Sequence, residues 1–288
     1  MSWLYRGVKS ITPKSANWKY CGMYILNLSE QNNHEIVFND FEGVLLSLSA
    51  ENVSVVIDDV ELKLVGRTGV FAGISDWIYI PVGAKVAIRG KKGLLALSTA
   101  QAAKKFPVTY VSKDKVSIEI RGSGFATRQV NNIATPSSFS GAEKILVCEV
   151  ITPGGNWSSW PPHRHDGIAG CEFNNEEIYY FQIGKQNSDH GSDEGRGYFR
   201  VYSYDKSIDE TMTINDKDFV IVPHGYHGPS IAAPEYPMYF LNVMAGPAAE
   251  RSMAFCDDPA PHWIRDSWNE QEQDPRCPVT SAQGKVKK

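Results

Sequence analysis

The sequence Gly154–Asp166, GGNWSSWPPHRHD, places two histidines two residues apart, directly after a stretch rich in turn-forming residues. In an extended strand, residues i and i+2 point to the same face. The side chains of His163 and His165 can therefore reach one ion or one substrate. This spacing predicts a strand of a β-rich domain whose interior carries a functional site.

Three further candidate residues lie downstream, at Glu176, at Glu177 and, within the turn VPHGYHGP, at His227. Glu177, Tyr179 and Phe181 alternate onto one face of the following strand. A carboxylate among inward-facing apolar side chains needs a partner, because an unpaired buried charge is costly. Nitrogen and oxygen ligands of this kind suit Zn, Mn, Fe, Co or Ni. The sequence thus predicts one divalent metal ion, with metal ligands His163, His165, Glu177 and His227.

Other polar residues near these motifs are weaker ligand candidates. Glu176 is the rival acidic ligand, but it points the opposite way from Glu177 unless a bulge intervenes. Cys171 lies close to the acidic pair in sequence. His224 is expected to be a polar neighbour of the site, and His190 belongs to a loop of solvated composition.

Short β-type runs dominate the chain, separated by Gly, Pro, Asn and Asp, and helical periodicity is scarce. Strands at this spacing with turn signals are typical of an all-β sandwich or barrel. Examples are 43–50, 53–66, 77–81, 93–100, 144–152, 177–183, 219–223 and 238–245.

An internal similarity suggests that the chain is built from two copies of one unit. Residues 76–83 read DWIYIPVG and residues 218–225 read DFVIVPHG, each an Asp, an apolar strand and Pro-x-Gly. Only the second copy is followed by a histidine; the first half contains His34 alone. We therefore expect two tandem β-barrel domains. These are a metal-free barrel over 1–115, a metal-containing barrel over 116–270, and a polar, poorly ordered tail over 271–288.

The composition bounds the class of protein. The chain has 288 residues, 42% hydrophobic and 22% charged, with a formal net charge of −4 and no basic face. Nucleic acid is therefore not expected as a partner. No apolar run approaches the length needed to span a bilayer, and the first residues lack the apolar core of a secretory signal. The five cysteines show no short paired spacing, so we expect reduced thiols in a cytoplasmic protein.

The motifs, taken in order, resemble the cupin superfamily. The resemblance rests on the His-x-His pair, on Glu177 with Gly184 seven residues later, on the Pro-x-Gly-x-His turn ending at His227, and on Asn242. Two departures concern the spacing. Cupins usually place the glutamate a few residues after the second histidine, whereas twelve positions separate His165 from Glu177 here. Residues 166–176 would then be an insertion at the mouth of the barrel. The turn that ends at His227 is one residue shorter than the common Pro-x-Gly-x-x-His form.

The second half more specifically resembles the 5-deoxy-glucuronate isomerase family of inositol catabolism. Six strings carry this resemblance: GNWSSWPPHRHD, EEIYYF, RVYSYDKSIDETM, VIVPHGYH, YFLNVMAGP and DDPAPHWI. The family is similar to the 4-deoxy-uronate ketol-isomerases, which are bicupins with a His₃Glu metal site. The resemblance implies a bicupin, a small uronate-type sugar as substrate and a homo-oligomer. It also implies conversion of 5-deoxy-D-glucuronate to 5-dehydro-2-deoxy-D-gluconate.

An isomerisation of this type needs no redox cofactor, and the chain has no glycine-rich dinucleotide fingerprint. A divalent metal would act as a Lewis acid, and the remote carboxylate of the substrate calls for an arginine. The catalytic candidates are Glu176, Tyr179 and Arg200, with Arg128 as a second choice for the carboxylate. Three alternatives remain. These are isomerisation of a related deoxy-uronate, a non-haem metal oxygenase with the same ligands, and non-enzymatic sugar binding, which predicts that the metal is absent.

Overall fold

The structure is a computed structural model that describes residues 3–286. Strands dominate this range, which confirms the all-β class. Its helical segments are α1 (Pro13–Ala16), α2 (Ile264–Ser267) and 3-10 turns at Lys113–Lys115 and Trp268–Glu270. In the described range, none of the helices is both long and apolar enough to cross a membrane.

Two facing sheets make up the first half. Its strands are β1 (Leu4–Tyr5), β2 (Ser10–Ile11), β3 (Cys21–Ser29), β4 (His34–Val37), β5 (Phe41–Ser47), β6 (Glu51–Ile57), β7 (Val60–Gly66), β8 (Trp77–Ile80), β9 (Lys85–Arg89), β10 (Lys92–Gln101) and β11 (Thr109–Val111). One sheet has the order β11-β8-β5-β10-β3-β2 and the other β4-β9-β6-β7. Leu45, Val55 and Leu97 belong to the apolar core between them.

The second half repeats this arrangement. Its strands are β12 (Ser117–Arg121), β13 (Arg128–Asn132), β14 (Leu146–Thr152), β15 (Trp157–Ser158), β16 (His163–Arg164), β17 (Glu176–Ile183), β18 (Gly197–Tyr202), β19 (Asp209–Ile214), β20 (Phe219–Val222), β21 (Tyr226–Ala232), β22 (Met238–Ala245) and β23 (Cys256–Asp257). A seven-stranded sheet, β1-β20-β17-β22-β14-β13-β12, faces a second sheet, β19-β18-β21-β16-β23, with β15 beside β21. Phe181, Phe199 and Phe240 are buried between the two.

The two large sheets pack against each other, so the molecule has four layers of strands. Val44 and Leu46 of β5 face this central layer, together with Ile178 and Tyr180 of β17. Leu45 points the other way, into the core of the first half. Burial of both faces explains why such strands read as continuous apolar runs and not as an alternation. Over residues 3–286 each sheet remains open, so each half is a pair of facing sheets.

The repeated sequence forms equivalent strands in the two halves. β8 lies beside β5 in the first large sheet, and β20 lies beside β17 in the second. Each strand leads into a turn whose glycine has a left-handed backbone, with φ of +80° at Gly83 and +87° at Gly225. Glycine adopts this conformation without steric cost, which explains the shared Pro-x-Gly.

The halves exchange edge strands. β1 pairs with β20, so Leu4 and Tyr5 extend the sheet of the second half. β11, which immediately precedes the second half in sequence, pairs with β8 of the first. Each half therefore borrows its outermost strand from the chain segment that leads into the other half.

Two glutamates join the halves in a matching way. The carboxylate of Glu42, at the start of β5, accepts hydrogen bonds from the backbone N–H groups of residues 143–145, which lead into β14. Glu176, at the start of β17, accepts them from the backbone N–H groups of residues 19–21, which lead into β3. Each carboxylate thus binds the opposite half.

The prediction of a poorly ordered tail is wrong for residues 271–286. β24 (Thr280–Ser281) and β25 (Gly284–Lys285) form a hairpin, and Thr280 is fully buried. The side-chain oxygen of Gln129 accepts hydrogen bonds from the backbone N–H groups of Val279 and Thr280, at 2.7 and 3.0 Å. Part of the polar composition reflects hydrogen bonding to the body of the protein, while other residues of the segment are exposed. Residues 287–288 of the expected tail lie outside the described range.

Candidate metal centre

Three histidine rings converge in the second half. His163 on β16 lies directly opposite His227 on β21, and their ring centroids are 4.4 Å apart. The ring of His165 lies 5.0 Å from that of His227. Each histidine has one ring nitrogen that lies within 4.8 Å of a ring nitrogen of the other two.

Glu177 completes the cluster. Its Oε2 atom lies 2.9 Å from Nε2 of His227 and 3.1 Å from Nε2 of His165. The side-chain amide of Asn242 on β22 donates a hydrogen bond to the other carboxylate oxygen, Oε1. Although burial acts to raise the pKa of Glu177, His227 and His165 hold that pKa well below its usual value.

The donor atoms of this cluster fit a divalent metal ion. Nδ1 of His163 and both ring nitrogens of His227 are buried and lack a hydrogen-bond partner. The contact between His227 and Glu177 is therefore short without having hydrogen-bond geometry. Such unpartnered polar atoms are costly unless something else binds them. Three imidazoles and one carboxylate form the ligand set that first-row divalent metals accept.

The segment between the second histidine and Glu177 holds the site in place. The backbone carbonyl of Asn175 lies 3.0 Å from Nδ1 of His165, which leaves Nε2 facing the cluster. A carboxylate oxygen of Asp166 accepts a hydrogen bond from the backbone N–H of Gly225, in the turn that carries His227. These contacts orient His165 and the turn that carries His227, from the side facing away from the cluster. Outer-shell groups orient the ligands of metal proteins in the same way.

The expectation that all cysteines are reduced thiols is wrong for one pair. Cys171, within residues 166–175, forms a disulfide with Cys256 of β23. The two residues are 85 positions apart, so no short spacing signals the bond. Because the sulfur of Cys171 is used in this bond, it is not a free ligand atom. Cys21, Cys148 and Cys277 take no part in a disulfide.

The three catalytic candidates occupy different environments. Tyr179 is buried and lines the same cavity as His163 and His165. Burial and the neighbouring Glu177 raise the pKa of its phenol. Glu176 points away from the cavity, towards the first half, as described above. Arg200 lies on β18, where its guanidinium donates to Asp209 on β19 at 2.7 and 2.8 Å. The structure therefore does not bring Glu176 or Arg200 to the cluster of three histidines and Glu177.

The cavity beside the cluster has a volume of about 420 Å³. Its walls include three arginines, of which the sequence singled out only the second choice, Arg128; the others are Arg121 and Arg265. Phe255 also lines it, with its ring 4.5 Å from that of His163. Arg265 and Phe255 come from the segment after β22, which no local pattern connects with the histidines.

Comparisons with known proteins agree on one family. The model of the KduI/IolB family matches residues 5–264. A 5-deoxy-glucuronate isomerase of Geobacillus thermodenitrificans is 37% identical over 264 residues, covering 90% of this chain and 92% of the relative. An IolB-like protein from Salmonella typhimurium superimposes with a TM-score of 0.82 at 30% identity, over 92% of this chain and 100% of that one.

The fold is also shared with a more distant enzyme. Oxalate decarboxylase of Bacillus subtilis, described with Mn(II) centres, superimposes with a TM-score of 0.58 at 13% identity, over 86% of this chain and 74% of that one. At this identity the likeness concerns the fold alone, and it agrees with the cupin resemblance. The matches over nearly the whole length are the decisive finding: the chain belongs to the KduI/IolB family.

Proposed function

We propose that this chain is an aldose–ketose isomerase that converts 5-deoxy-D-glucuronate to 5-dehydro-2-deoxy-D-gluconate in inositol catabolism. The proposed site is a divalent metal ion bound by His163, His165, Glu177 and His227. The observation that carries the proposal is the convergence of these four side chains on one another, beside a cavity that His163, His165 and Glu177 line. Relatives that match about 90% of the chain and are named 5-deoxy-glucuronate isomerase support the choice of substrate.

The reaction is balanced without any external oxidant or reductant. The carbon next to the aldehyde loses a proton and becomes the ketone carbon, while the aldehyde carbon gains a proton and becomes the alcohol carbon. The hydroxyl proton moves from one oxygen to the other. A bound divalent ion supplies Lewis-acid polarisation of the carbonyl, which stabilises negative charge as it develops.

The residues around the cluster provide a fixed environment for this chemistry, with limited access of water. Tyr179 keeps its phenolic proton, because burial and Glu177 raise the pKa of the hydroxyl. We assign Tyr179 as a hydrogen-bond donor to the substrate oxygen on which charge develops. Asn242 holds the Glu177 carboxylate through the oxygen that faces away from His165 and His227.

We further propose that the two halves are tandem cupin barrels, with the metal only in the second. The equivalent placement of β8 and β20, and the matching contacts of Glu42 and Glu176, support a repeated unit. The bounds 1–115 and 116–270 then need one amendment, because β1 completes the sheet of the second half. A homo-oligomer in the cytoplasm stays a prediction from the sequence.

Turnover by the purified protein tests the function. Under nitrogen and without NAD or flavin, we expect loss of aldehyde from 5-deoxy-D-glucuronate together with formation of the ketose. Elemental analysis should find about one divalent metal ion per chain. Chelation should abolish turnover, and added metal should restore it. Full turnover by metal-free protein would overturn the metal site, and a requirement for dioxygen would favour an oxygenase.

A further inference from the structure

Three guanidinium groups line the cavity beside the cluster of His163, His165, Glu177 and His227. Two of its three guanidinium groups are paired. Arg121 donates to the carboxylate of Glu119 at 2.9 and 2.8 Å. Arg265 binds both carboxylate oxygens of Asp257.

The third guanidinium, that of Arg128, forms no ion pair within residues 3–286. Its side chain is buried, and the residue is 6% exposed. Nη1 donates to the backbone carbonyl oxygen of Ala126 at 3.0 Å, and the guanidinium lies 5.6 Å from the ring centroid of Trp268. Within residues 3–286, no carboxylate approaches it to within the 4.0 Å of an ion pair. Burial, and then the charges of Arg121 and Arg265, lower the pKa of Arg128 to about 9.

A buried cation without an ion-pair partner is unfavourable. The charge of Glu119, which lies beyond ion-pair distance, acts to raise the pKa of Arg128 but only partly offsets the desolvation. An anion that enters the cavity would relieve this, and both neighbouring arginines would add to the attraction. A carboxylate suits the position, because the planar guanidinium can donate two parallel hydrogen bonds to its two oxygens.

We propose that Arg128 binds the carboxylate of the substrate and thereby selects uronates over neutral sugars. The inference rests on the proposed function, in that it assumes a sugar acid whose other end reaches the metal cluster. It replaces Arg200, whose guanidinium is already bound to Asp209 and which is not among the residues that line the cavity.

The position of Arg128 makes it a specificity residue and not part of the reacting centre. Arg128 and Val130 alternate on β13, and the cavity floor continues from Val130 through Val150 to Phe240 across neighbouring strands. Glu177 lies further along the same floor, on β17. The carboxylate-binding end and the metal-binding end are thus different parts of one cavity, as a long, open-chain sugar acid requires.

The test compares Arg128→Gln and Arg128→Lys with Arg89→Gln, an exposed arginine of the first half. For the metal-loaded enzyme, we expect Arg128→Gln to raise KM about 100-fold and Arg128→Lys about 10-fold. The kcat value and the metal content should change little, and Arg89→Gln should match wild type. Because Gln removes an unpaired buried charge, the ligand-free Arg128→Gln protein should melt no lower than wild type. An unaltered KM in Arg128→Gln, or a larger KM effect in Arg200→Gln, would overturn the inference.

A binding measurement separates this inference from the proposed function. D-glucuronate and D-glucose differ at one end by a carboxylate, and their binding to wild type and Arg128→Gln can be measured by calorimetry. We expect wild type to prefer D-glucuronate and Arg128→Gln to lose that preference. This result would support the inference even if wild type did not isomerise 5-deoxy-D-glucuronate. Equal binding of both sugars by wild type would overturn it while leaving isomerase activity possible.

Discussion

The two halves share an arrangement of strands but differ in what their interiors contain. The inward positions of β9 in the first half are Val86 and Ile88, which pack in an apolar core. The equivalent strand of the second half, β21, carries the buried His227. The position after the inter-half glutamate is Gly43 in the first half and Glu177 in the second. The same framework therefore accepts either an apolar core or a cluster of histidines and a carboxylate.

The first half has no room for the second half's acidic ligand. A Cβ atom at Gly43 would lie 2.6 Å from the ring of Phe38, so any side chain there would displace that ring. His34, the histidine of the first half, lies on β4 and contacts the backbone carbonyl of Asn27 at 3.0 Å. The two halves thus share the positions that join the sheets, whereas the histidine–glutamate cluster depends on a few inward positions of one half.

The largest expected effect follows from removing one ligand. In His165→Ala we expect loss of the bound metal and a decrease in kcat of at least about a thousandfold, because Lewis-acid stabilisation is lost. The matched variant His34→Ala in the first half should retain metal and turnover. Metal content, kcat and circular dichroism of both variants test this. Equal losses in the two variants would contradict the assignment of the site to the second half.

The disulfide is the next largest difference between the halves, since the first half has a single cysteine. Replacing Cys171 and Cys256 together with Ser should lower the free energy of unfolding by about 2–4 kcal/mol, because the long loop that the bond closes becomes free in the unfolded chain. Urea unfolding measures the change. A reductant should destabilise wild type by a similar amount and leave the double variant unaffected; sensitivity of the variant to reductant would point to another cause.

The two inter-half glutamates offer a direct test of equivalence. In Glu42→Gln and in Glu176→Gln we expect the free energy of unfolding to fall by about 1–3 kcal/mol each, because charge-assisted hydrogen bonds to backbone N–H groups are weakened. Unfolding curves of the two variants should be similar. If Glu176→Gln alone lost turnover beyond its loss of folded protein, Glu176 would act in catalysis after all.

The smallest effect concerns the C-terminal segment, which binds both halves. Hydrogen bonds from Arg276 and Asn156 lower the pKa of Asp274 to about 2. Because the native pKa lies below the unfolded value, this stabilisation is present above about pH 4 and is lost as the pH falls towards 2. Asp274→Asn should remove about 1 kcal/mol of the free energy of unfolding at pH 6, after allowance for solvent screening. Below pH 2 the two proteins should have equal stability.

Features that depend on neighbours in sequence were predictable. The all-β class followed from the short apolar runs and their turns, and the similarity of residues 76–83 and 218–225 identified strands that are equivalent in the fold. The two-residue spacing of His163 and His165, and the alternation of Glu177 with Tyr179, placed these side chains on shared faces. These inferences need only the periodicity of a strand.

Features that depend on distant partners were not predictable in this way. Nothing local distinguishes Arg200, which pairs with the opposing strand, from Arg128, which faces the cavity. Glu176 follows the same strand rule as Glu177, but its partners lie more than 150 positions away in the first half. The pairing of Cys171 with Cys256 and the packing of the C-terminal hairpin are likewise set by tertiary contacts.

The exchanged edge strand β1 has a consequence for synthesis on the ribosome. Its segment is made well before β20, because Arg6 and its partner, Asp218, are 212 residues apart in the chain. The first half can form its two sheets while translation continues. The segment of β1 remains solvated until β20 has been synthesised and can pair with it. Contacts of such long range slow folding. A tag or fusion that restrains the segment of β1 is therefore expected to delay folding of the second half, although the proposed site is encoded far downstream.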